Sequence, residues 1–272
     1  MNQFDKIQEA AAFLNQHNSA GARIGIVLGS GLGNFTNEIE VSAAVPYSDI
    51  PHFPVSTVEG HSGKLIFGTI AGKPVVAMAG RFHFYEGYSP EEVVFPIRVM
   101  KALGVQTLFV SNAAGGTEST WKVGDLMLIT DHISFAAINP LIGRNDERFG
   151  PRFPDMSEPY SKALIARAKD IASANGIALR EGTYFGVTGP TFETRAEYRL
   201  IHTLGGHAVG MSTVQEVIAA RHMGIDVFAM SVITDIGIRE EDNIITHQEV
   251  LEAAHAAEPK LTLIFRELIR GL

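Results

Sequence analysis

One segment of the sequence places an arginine and a histidine where they could bind an inorganic anion. Arg81 and His83 follow an apolar run that predicts a β-strand. If the strand continues, alternation places Arg81, His83 and Tyr85 on one side. A planar guanidinium can bind two oxygens of a phosphate at once. The segment therefore predicts an anion site, and the alternative is an exposed strand end with a salt-bridged arginine.

A glycine-rich segment, LGSGLG at residues 28–33, follows the first predicted strand. Glycines allow backbone N–H groups to approach an anion closely, and Ser30 adds a hydroxyl donor. The spacing fits neither the dinucleotide-binding fingerprint nor the Walker loop, and Leu28 excludes a nucleophile elbow. Considered alone, the segment predicts a tight turn and an anion-binding loop equally well.

Two further loops follow predicted strands. The segment SNAAGG at residues 111–116 consists of small residues, which either let a ligand approach the backbone or simply form a tight loop. The segment VGMST at residues 209–213 runs into a helix, and a helix N-terminus presents free N–H groups and positive potential. Ser212 could therefore cap this helix, bind an anion or do both.

Two carboxyl groups occur where they could act on a small ligand. Phe192 and Glu193 are adjacent, so the ring could stack on a base while the carboxylate accepts N–H bonds. The alternative is that Glu193 complements a helix dipole. Asp235 ends an apolar strand, where a carboxyl group is either desolvated or paired, and a desolvated one would suit a proton donor. His247 is either a ligand contact or a surface residue early in a helix.

The elements that position these residues alternate between short apolar strands and longer helical patterns. This alternation predicts an α/β fold with helices around a mixed central β-sheet. Strands are predicted at residues 23–29, 64–70, 74–79, 107–112, 125–131, 183–187, 207–211 and 226–234. Helices are predicted after the cap residues Ser89, Ser212 and Thr246, and also at residues 157–175 and 193–204. Pro96 is expected to kink the helix that follows Ser89 or to shift its start.

The composition limits the class of protein. Of the 272 residues, 46% are hydrophobic and 19% are charged, and no linker interrupts the chain, which predicts one domain over residues 1–272. The net charge of -8 argues against nucleic acid or an anionic membrane as a partner. Cysteine is absent and the histidines lack metal-ligand spacing, so we expect neither thiolate chemistry nor a metal.

The N-terminal segment and the hydropathy pattern predict the location of the protein. Residues 1–16 are charged and amphipathic, unlike a signal peptide. No apolar run approaches the ~20 residues that span a bilayer. We therefore expect a soluble, cytoplasmic protein.

As a set, the loops at successive strand ends resemble the low-molecular-weight, homotrimeric class of purine nucleoside phosphorylases, which is related to the methylthioadenosine phosphorylases. The matching segments occur in family order and cover most of the chain between residues 23 and 250. They are GSGLG at 29–33, GHSGKL from Gly60, GRFHFYEGY at 80–88, SNAAGG at 111–116, NDERFGPRFPDMS at 145–157, GPTFET at 189–194 and VGMSTVQEVIAARH at 209–222.

The resemblance implies a Rossmann-like fold with a barrel-like region, a homotrimer, and phosphorolysis of purine (deoxy)ribonucleosides, with inosine and guanosine preferred. Inorganic phosphate is then a co-substrate, and no cofactor is implied. By position, phosphate would be bound by Ser30, Arg81, His83, Ser212 and the backbone N–H of Ala113, with His61 on a loop nearby. The nucleoside would contact Tyr85, Asn112, Phe192, Glu193, Met211, Asp235 and His247, and the catalytic residues would be Asp235, His83 and Glu193.

Two departures from the family pattern affect these implications. Asp235 stands where the 6-oxopurine enzymes usually carry asparagine. An ionised aspartate cannot donate to a 6-oxo group and would prefer a 6-amino group, whereas a protonated one could mimic asparagine in part. Glu193 and His247 favour 6-oxopurines with a free 5′-hydroxyl. The loop at residues 133–141 is shorter than the version that reaches a neighbouring subunit, which leaves the role of Phe135 open.

Three other functions compete with the preferred one. An adenosine or methylthioadenosine phosphorylase is favoured by Asp235. A non-catalytic nucleoside-binding protein on the same fold would use the same loops. A nicotinamide-dependent oxidoreductase is disfavoured by the glycine spacing at residues 28–33.

Overall fold

The structure is a computed structural model and describes residues 1–58, 62–238 and 245–272. Within these ranges the chain forms nine strands and six α-helices. The strands are β1 (Ile24–Val27), β2 (Glu40–Pro46), β3 (Lys64–Ile70), β4 (Lys73–Ala79), β5 (Thr107–Gly116), β6 (Leu126–Ile133), β7 (Leu179–Gly186), β8 (Ala208–Gly210) and β9 (Asp226–Ile236). The helices are α1 (Gln3–Asn15), α2 (Pro90–Ala102), α3 (Lys162–Ala174), α4 (Arg195–Thr203), α5 (Val214–His222) and α6 (His247–Arg270).

These strands form one mixed sheet in the order β2-β3-β4-β1-β5-β8-β7-β6-β9. Because β9 also pairs with β5, the five strands β5, β8, β7, β6 and β9 close into a barrel. All of β1 and all of β9 except its first residue are buried, which explains their continuous apolar character. The predicted α/β fold with a barrel-like region is confirmed.

Four neighbouring strands bring the chemically interesting loops together. Strand β1 is parallel to β4 and to β5, and β5 is parallel to β9. Their carboxyl ends therefore meet at one edge of the sheet, where α/β proteins bind ligands. Arg81 and His83 follow β4, Ser30 follows β1, Asn112 lies in β5, and Asp235 lies at the end of β9.

Side-chain caps set the starts of several helices, as the sequence predicts. Ser89 caps α2 and Thr246 caps α6, each in a capping box. Helix α2 runs through Pro96, and its start is not shifted. The prediction that α3 starts at Ser157 is wrong, because the helix is capped by Ser161. Pro159 explains the later start, since the residue before a proline disfavours helical geometry. None of the helices in the described ranges is long and apolar enough to cross a membrane.

The hairpin of β3 and β4 is confirmed, whereas β2 is not predicted from the sequence. Strands β3 and β4 pair antiparallel across the turn at Ala71 and Gly72. Strand β2 adds to the outer edge of β3 and buries only Val45. A strand that is exposed on most of its length lacks the apolar run that marks the other strands.

Candidate active site

A cavity of about 500 Å³ lies at this edge of the sheet. Its volume is in the range of pockets that hold small ligands. Every site residue predicted from the sequence lies on its wall except His61, which falls outside the described residues. These wall residues are Ser30, Arg81, His83, Tyr85, Asn112, Ala113, Phe192, Glu193, Met211, Ser212, Asp235 and His247. We call Ser30, Arg81, His83 and Ser212 the anion wall.

Arg81 is anchored by Glu216, a buried residue of α5. Its Nε donates to Oε1 of Glu216 at 2.9 Å and its Nη2 donates to Oε2 at 3.0 Å. Its Nη1 donates to the carbonyl oxygen of Ser111 at 2.7 Å. Both members of the ion pair are almost fully buried. The edge formed by Nε and Nη2 therefore holds Glu216, and this ion pair fixes the orientation of the guanidinium in the wall.

His83 is held by Glu86. Oε1 of Glu86 accepts hydrogen bonds from the backbone N–H and from Nδ1 of His83, at 2.8 and 2.9 Å. Burial alone would raise the pKa of Glu86, but hydrogen bonds from His83 and Thr57 lower it to about 2. Burial lowers the pKa of His83. The imidazole is therefore neutral near neutral pH, with its proton on Nδ1, so Nε2 is a hydrogen-bond acceptor.

The start of α5 is strained in a way that serves the anion wall. Its N-cap, Thr213, has a φ of 71°, a left-handed conformation that is costly for a β-branched residue. The buried Asn112 holds this conformation, because its Nδ2 donates to Oγ1 of Thr213 at 2.8 Å. The prediction that Ser212 caps this helix is wrong, because Thr213 is the N-cap residue and no side chain among the described residues caps the helix. Its positive N-terminus is therefore placed beside Ser212, where an anion can use it.

A third part of the wall suits a sugar. Oδ1 of Asn112 is buried and has no hydrogen-bond partner among the described residues, so it can accept from a ligand hydroxyl. The ring of Tyr85 stacks on His83, with centroids 4.6 Å apart. Met211 follows β8, and His247 begins α6. These residues offer both apolar and polar contacts to one small ligand.

The remaining part of the wall carries two carboxyl groups. We call Glu193, Asp235 and Tyr198 the acidic wall. Burial and the nearby charge of Asp235 raise the pKa of Glu193 to about 7. Asp235 is buried and accepts a hydrogen bond from the Tyr198 hydroxyl at 2.8 Å. With the partly exposed ring of Phe192 beside it, the acidic wall fits a flat base that carries N–H groups.

Strand alternation does not place Arg81 and His83, so that prediction is wrong. Strand β4 ends at Ala79, and Phe84–Glu86 form a 3-10 turn. The capping box between His83 and Glu86 turns the chain. Both Arg81 and His83 nevertheless line the cavity.

Three residues that orient the predicted ones are not predicted from the sequence. Glu86 could have been found, because it follows His83 by three residues in the capping-box spacing. Glu216 lies in the first turn of α5, where an acidic residue is expected for the helix dipole alone. Tyr198 occupies a buried position of α4 that resembles ordinary core packing. Only the tertiary fold reveals the partners of Glu216 and Tyr198.

Two features lie outside the cavity wall. Phe135 is 73% exposed and packs edge-on against Phe185, so in its own chain it does not reach the cavity. In the part of the chain that the structure describes, no three His, Asp or Glu side chains are grouped closely enough to hold a metal ion.

Comparison with known proteins gives the same family as the motifs. A family model described as the phosphorylase superfamily matches residues 23–270. Purine nucleoside phosphorylase 1 of Geobacillus stearothermophilus is 51% identical over 266 residues, covering 98% of this chain and 97% of that protein. The chain belongs to the purine nucleoside phosphorylase family.

Solved structures of this family share the whole fold. Isoform 2 of purine nucleoside phosphorylase from Schistosoma mansoni, in complex with cytosine and ribose-1-phosphate, superposes with a TM-score of 0.94 at 43% identity, covering 99% of this chain and 97% of that one. A Schistosoma mansoni purine nucleoside phosphorylase in complex with adenosine gives a TM-score of 0.93 at 42% identity, covering 98% and 97%. The resemblance predicted from the sequence is confirmed, and the roles of individual residues stay predictions.

Proposed function

We propose that this chain is a purine nucleoside phosphorylase, which uses inorganic phosphate to cleave purine (deoxy)ribonucleosides to the free base and (deoxy)ribose 1-phosphate. The observation that carries the proposal is one cavity that joins the anion wall to the acidic wall. Inosine and guanosine are the proposed main substrates, because an ionised Glu193 accepts the N1–H of a 6-oxopurine. No cofactor takes part in this reaction.

The anion wall is proposed to bind phosphate. Ser30 and Ser212 donate hydrogen bonds from their hydroxyl groups, and Ala113 donates one from its backbone N–H. Arg81 supplies positive charge. The neutral His83 accepts a hydrogen bond from a phosphate hydroxyl at Nε2, since its other nitrogen is bonded to Glu86. The bound phosphate thereby presents an unprotonated oxygen to the sugar.

The proposed chemistry needs no covalent intermediate on the enzyme. A phosphate oxygen attacks C1′ while the C1′–N9 bond breaks and its electron pair moves onto the purine. Positive charge grows on the sugar, and the phosphate is both nucleophile and counter-charge. The protein contributes fixed orientation and preset electrostatics rather than a nucleophile of its own.

Asp235 is proposed to assist the leaving base. Negative charge grows on the purine as the bond breaks, and N7 becomes basic. N7 takes a proton from solvent as the bond breaks, and the Asp235 carboxylate accepts a hydrogen bond from the new N7–H. Well-placed groups that share a proton in this way contribute about 10²–10⁴-fold to a rate.

The deciding experiment measures base release from inosine with and without phosphate. We expect release that depends on phosphate and yields ribose 1-phosphate in equal amounts. Tight nucleoside binding with no phosphate-dependent release would instead identify a non-catalytic nucleoside-binding protein.

A second candidate is an adenosine or methylthioadenosine phosphorylase. It is favoured by the hydrogen bond from Tyr198 to Asp235, because a carboxylate accepts from a 6-amino group but cannot donate to a 6-oxo group. Inosine, guanosine, adenosine and methylthioadenosine are to be assayed side by side. Cleavage of the two adenosines alone would replace the first candidate with the second.

The base preference is expected to change with pH through Glu193. Its pKa of about 7 makes it protonated below neutrality, when it donates to N1 of adenosine, and ionised above, when it accepts from N1–H of inosine. The kcat/KM for inosine relative to adenosine should therefore rise roughly tenfold or more from about pH 6 to about pH 8. Phosphate also titrates in this pH range, but it affects both kcat/KM values equally and so cancels in their ratio. In Glu193→Gln the ratio should stay flat, and an equal slope in both proteins would exclude Glu193.

The assembly and location are part of the proposal. We propose a homotrimer, supported by the family pattern and by the large exposed side chains of Phe135, Ile142 and Phe153. Sedimentation of the purified protein measures the assembly, and a monomer at working concentration contradicts it. We also propose a cytoplasmic role in purine salvage.

A further inference from the structure

The Tyr198 hydroxyl lies in the acidic wall, but none of the reaction steps proposed above uses it. Tyr198 belongs to α4, and its side chain is 2% exposed. The hydroxyl donates to Oδ2 of Asp235 at 2.8 Å. A buried phenol normally needs a partner for its O–H, but this partner is the residue assigned to the leaving base.

The backbone leaves room for this ring at two glycines. A Cβ on Gly237 would overlap the ring carbons of Tyr198. A Cβ on Gly115 would lie 2.5 Å from the Tyr198 hydroxyl and 3.0 Å from Oδ2 of Asp235. Neither glycine has a positive φ, so space rather than backbone freedom explains them. The tyrosine is therefore fitted between β5 and the segment after β9, with its hydroxyl fixed against the carboxyl group.

Burial and the nearby Glu193 carboxyl disfavour a charge on Asp235, whereas the hydrogen bonds that Asp235 accepts favour its ionised form. Tyr198 donates to Oδ2, and a donor on a carboxyl oxygen favours the ionised form. The hydroxyl of Thr234 is a second, weaker donor, because its one proton is shared between Oδ1 at 3.3 Å and the carbonyl oxygen of Ala114 at 3.4 Å. An ionised carboxyl group has no proton to offer a base.

An acceptor at Asp235 suits one class of purine better than the other. A departing 6-aminopurine with a proton on N7 presents two adjacent donors, N6–H and N7–H. A departing 6-oxopurine presents an acceptor and a donor, which an amide or a protonated acid matches better than a carboxylate. Glu193 serves both classes, because it can accept from N1–H or donate to N1 according to its protonation. Asp235 is therefore the residue that discriminates between the two classes.

We propose that Tyr198 is a specificity-determining residue: by donating to Asp235 it holds the carboxylate as an acceptor and extends the reaction to 6-aminopurine nucleosides. The inference rests on the proposed phosphorolysis. The Tyr198 hydroxyl contacts both carboxyl groups of the acidic wall, Glu193 and Asp235, and is assigned no contact with sugar or phosphate; it discriminates between the two classes of base through Asp235.

The test compares kcat/KM for adenosine and for inosine in the parent chain and in Tyr198→Phe. The variant keeps the ring between the two glycines and removes only the donor. Without the donor, Asp235 takes up a proton more readily and can donate to a 6-oxo group. We expect the adenosine to inosine ratio to fall about tenfold, the size of effect that a hydrogen bond to a charged group gives.

Two further variants make the test specific. In Asp235→Asn the ratio should also fall, and adding Tyr198→Phe to that variant should change it no further. Tyr160→Phe is the matched control, because this buried tyrosine bonds His132 outside the cavity, and its ratio should equal that of the parent. Equal losses on both nucleosides in Tyr198→Phe would mean a merely structural role and would overturn the proposal. So would a shift that persists in Asp235→Asn.

A binding measurement separates this proposal from the proposed function. If neither nucleoside is cleaved with phosphate, the phosphorylase function fails. In that case, calorimetry with free adenine and free hypoxanthine still measures how tightly each base binds at the acidic wall. We expect Tyr198→Phe and Asp235→Asn each to shift the ratio of the two dissociation constants toward hypoxanthine, and an unchanged ratio in both would overturn the role of Tyr198.

Discussion

Asp235→Ala is expected to lower the turnover of inosine by about 10²–10⁴-fold, while the phosphate concentration required for half-maximal rate changes little. The reason is that Asp235 and the residues proposed to bind phosphate lie in different parts of the cavity wall. The carboxyl group lies in the acidic wall, where we propose that it stabilises the proton on N7, and the residues proposed to bind phosphate lie in the anion wall. Steady-state kinetics with inosine and phosphate varied independently measure both quantities.

Asp226→Ala is the matched control for this variant. Asp226 begins the same strand, β9, but its side chain is exposed and pairs with Arg221 away from the cavity. Its loss should leave turnover within about twofold of the parent, as expected for a surface change. If Asp235→Ala turned over inosine as fast as Asp226→Ala, Asp235 would have no part in catalysis.

Arg81→Ala is expected to lower the free energy of unfolding by about 3–5 kcal/mol and to raise the phosphate requirement of the protein that remains folded. The first effect follows from the buried ion pair, since removal of Arg81 leaves the Glu216 carboxylate without its partner in a nearly dry site. The second follows from the loss of positive charge in the anion wall. Denaturant unfolding and phosphate titrations measure the two effects separately.

Arg270→Ala tests whether burial of the ion pair is the reason why Arg81→Ala lowers the free energy of unfolding. Arg270 also pairs with a glutamate, Glu267, near the end of α6, but Arg270 is 59% exposed, and Glu267 is 25% exposed and also pairs with Arg266. An exposed pair contributes about 0–1 kcal/mol, so this variant should unfold close to the parent. Equal destabilisation by the two arginine variants, or an unchanged phosphate dependence in Arg81→Ala, would contradict the assignment.

The general position of the site could be predicted because parallel strands deliver their carboxyl ends to one edge. Ser30, Arg81 and Asp235 each follow or end an apolar run that is visible in the sequence. Once those runs are placed in one sheet, the loops after them must lie close together. The capped starts of α2 and α6 were equally visible, because capping depends on residues only a few positions apart.

The contacts that tune the site could not be predicted, because they join residues far apart in the chain. Glu216 is separated from Arg81 by 135 residues and Tyr198 from Asp235 by 37. In the sequence, Glu216 is an ordinary acidic residue in a first helical turn, and Tyr198 is an ordinary apolar position on α4. Periodicity describes which face of an element is buried, but it does not say which polar atom meets that face.

The closure of the barrel by β9 affects how the protein matures. During synthesis β5 and β6 leave the ribosome well before β9, so for a time both expose strand edges that β9 later covers. Neither Asp235 nor His247 exists in the nascent chain until this last strand and α6 have been made. The growing polypeptide therefore passes through an aggregation-prone stage before the proposed nucleoside site is complete, and the site is completed only when β9 and α6 emerge.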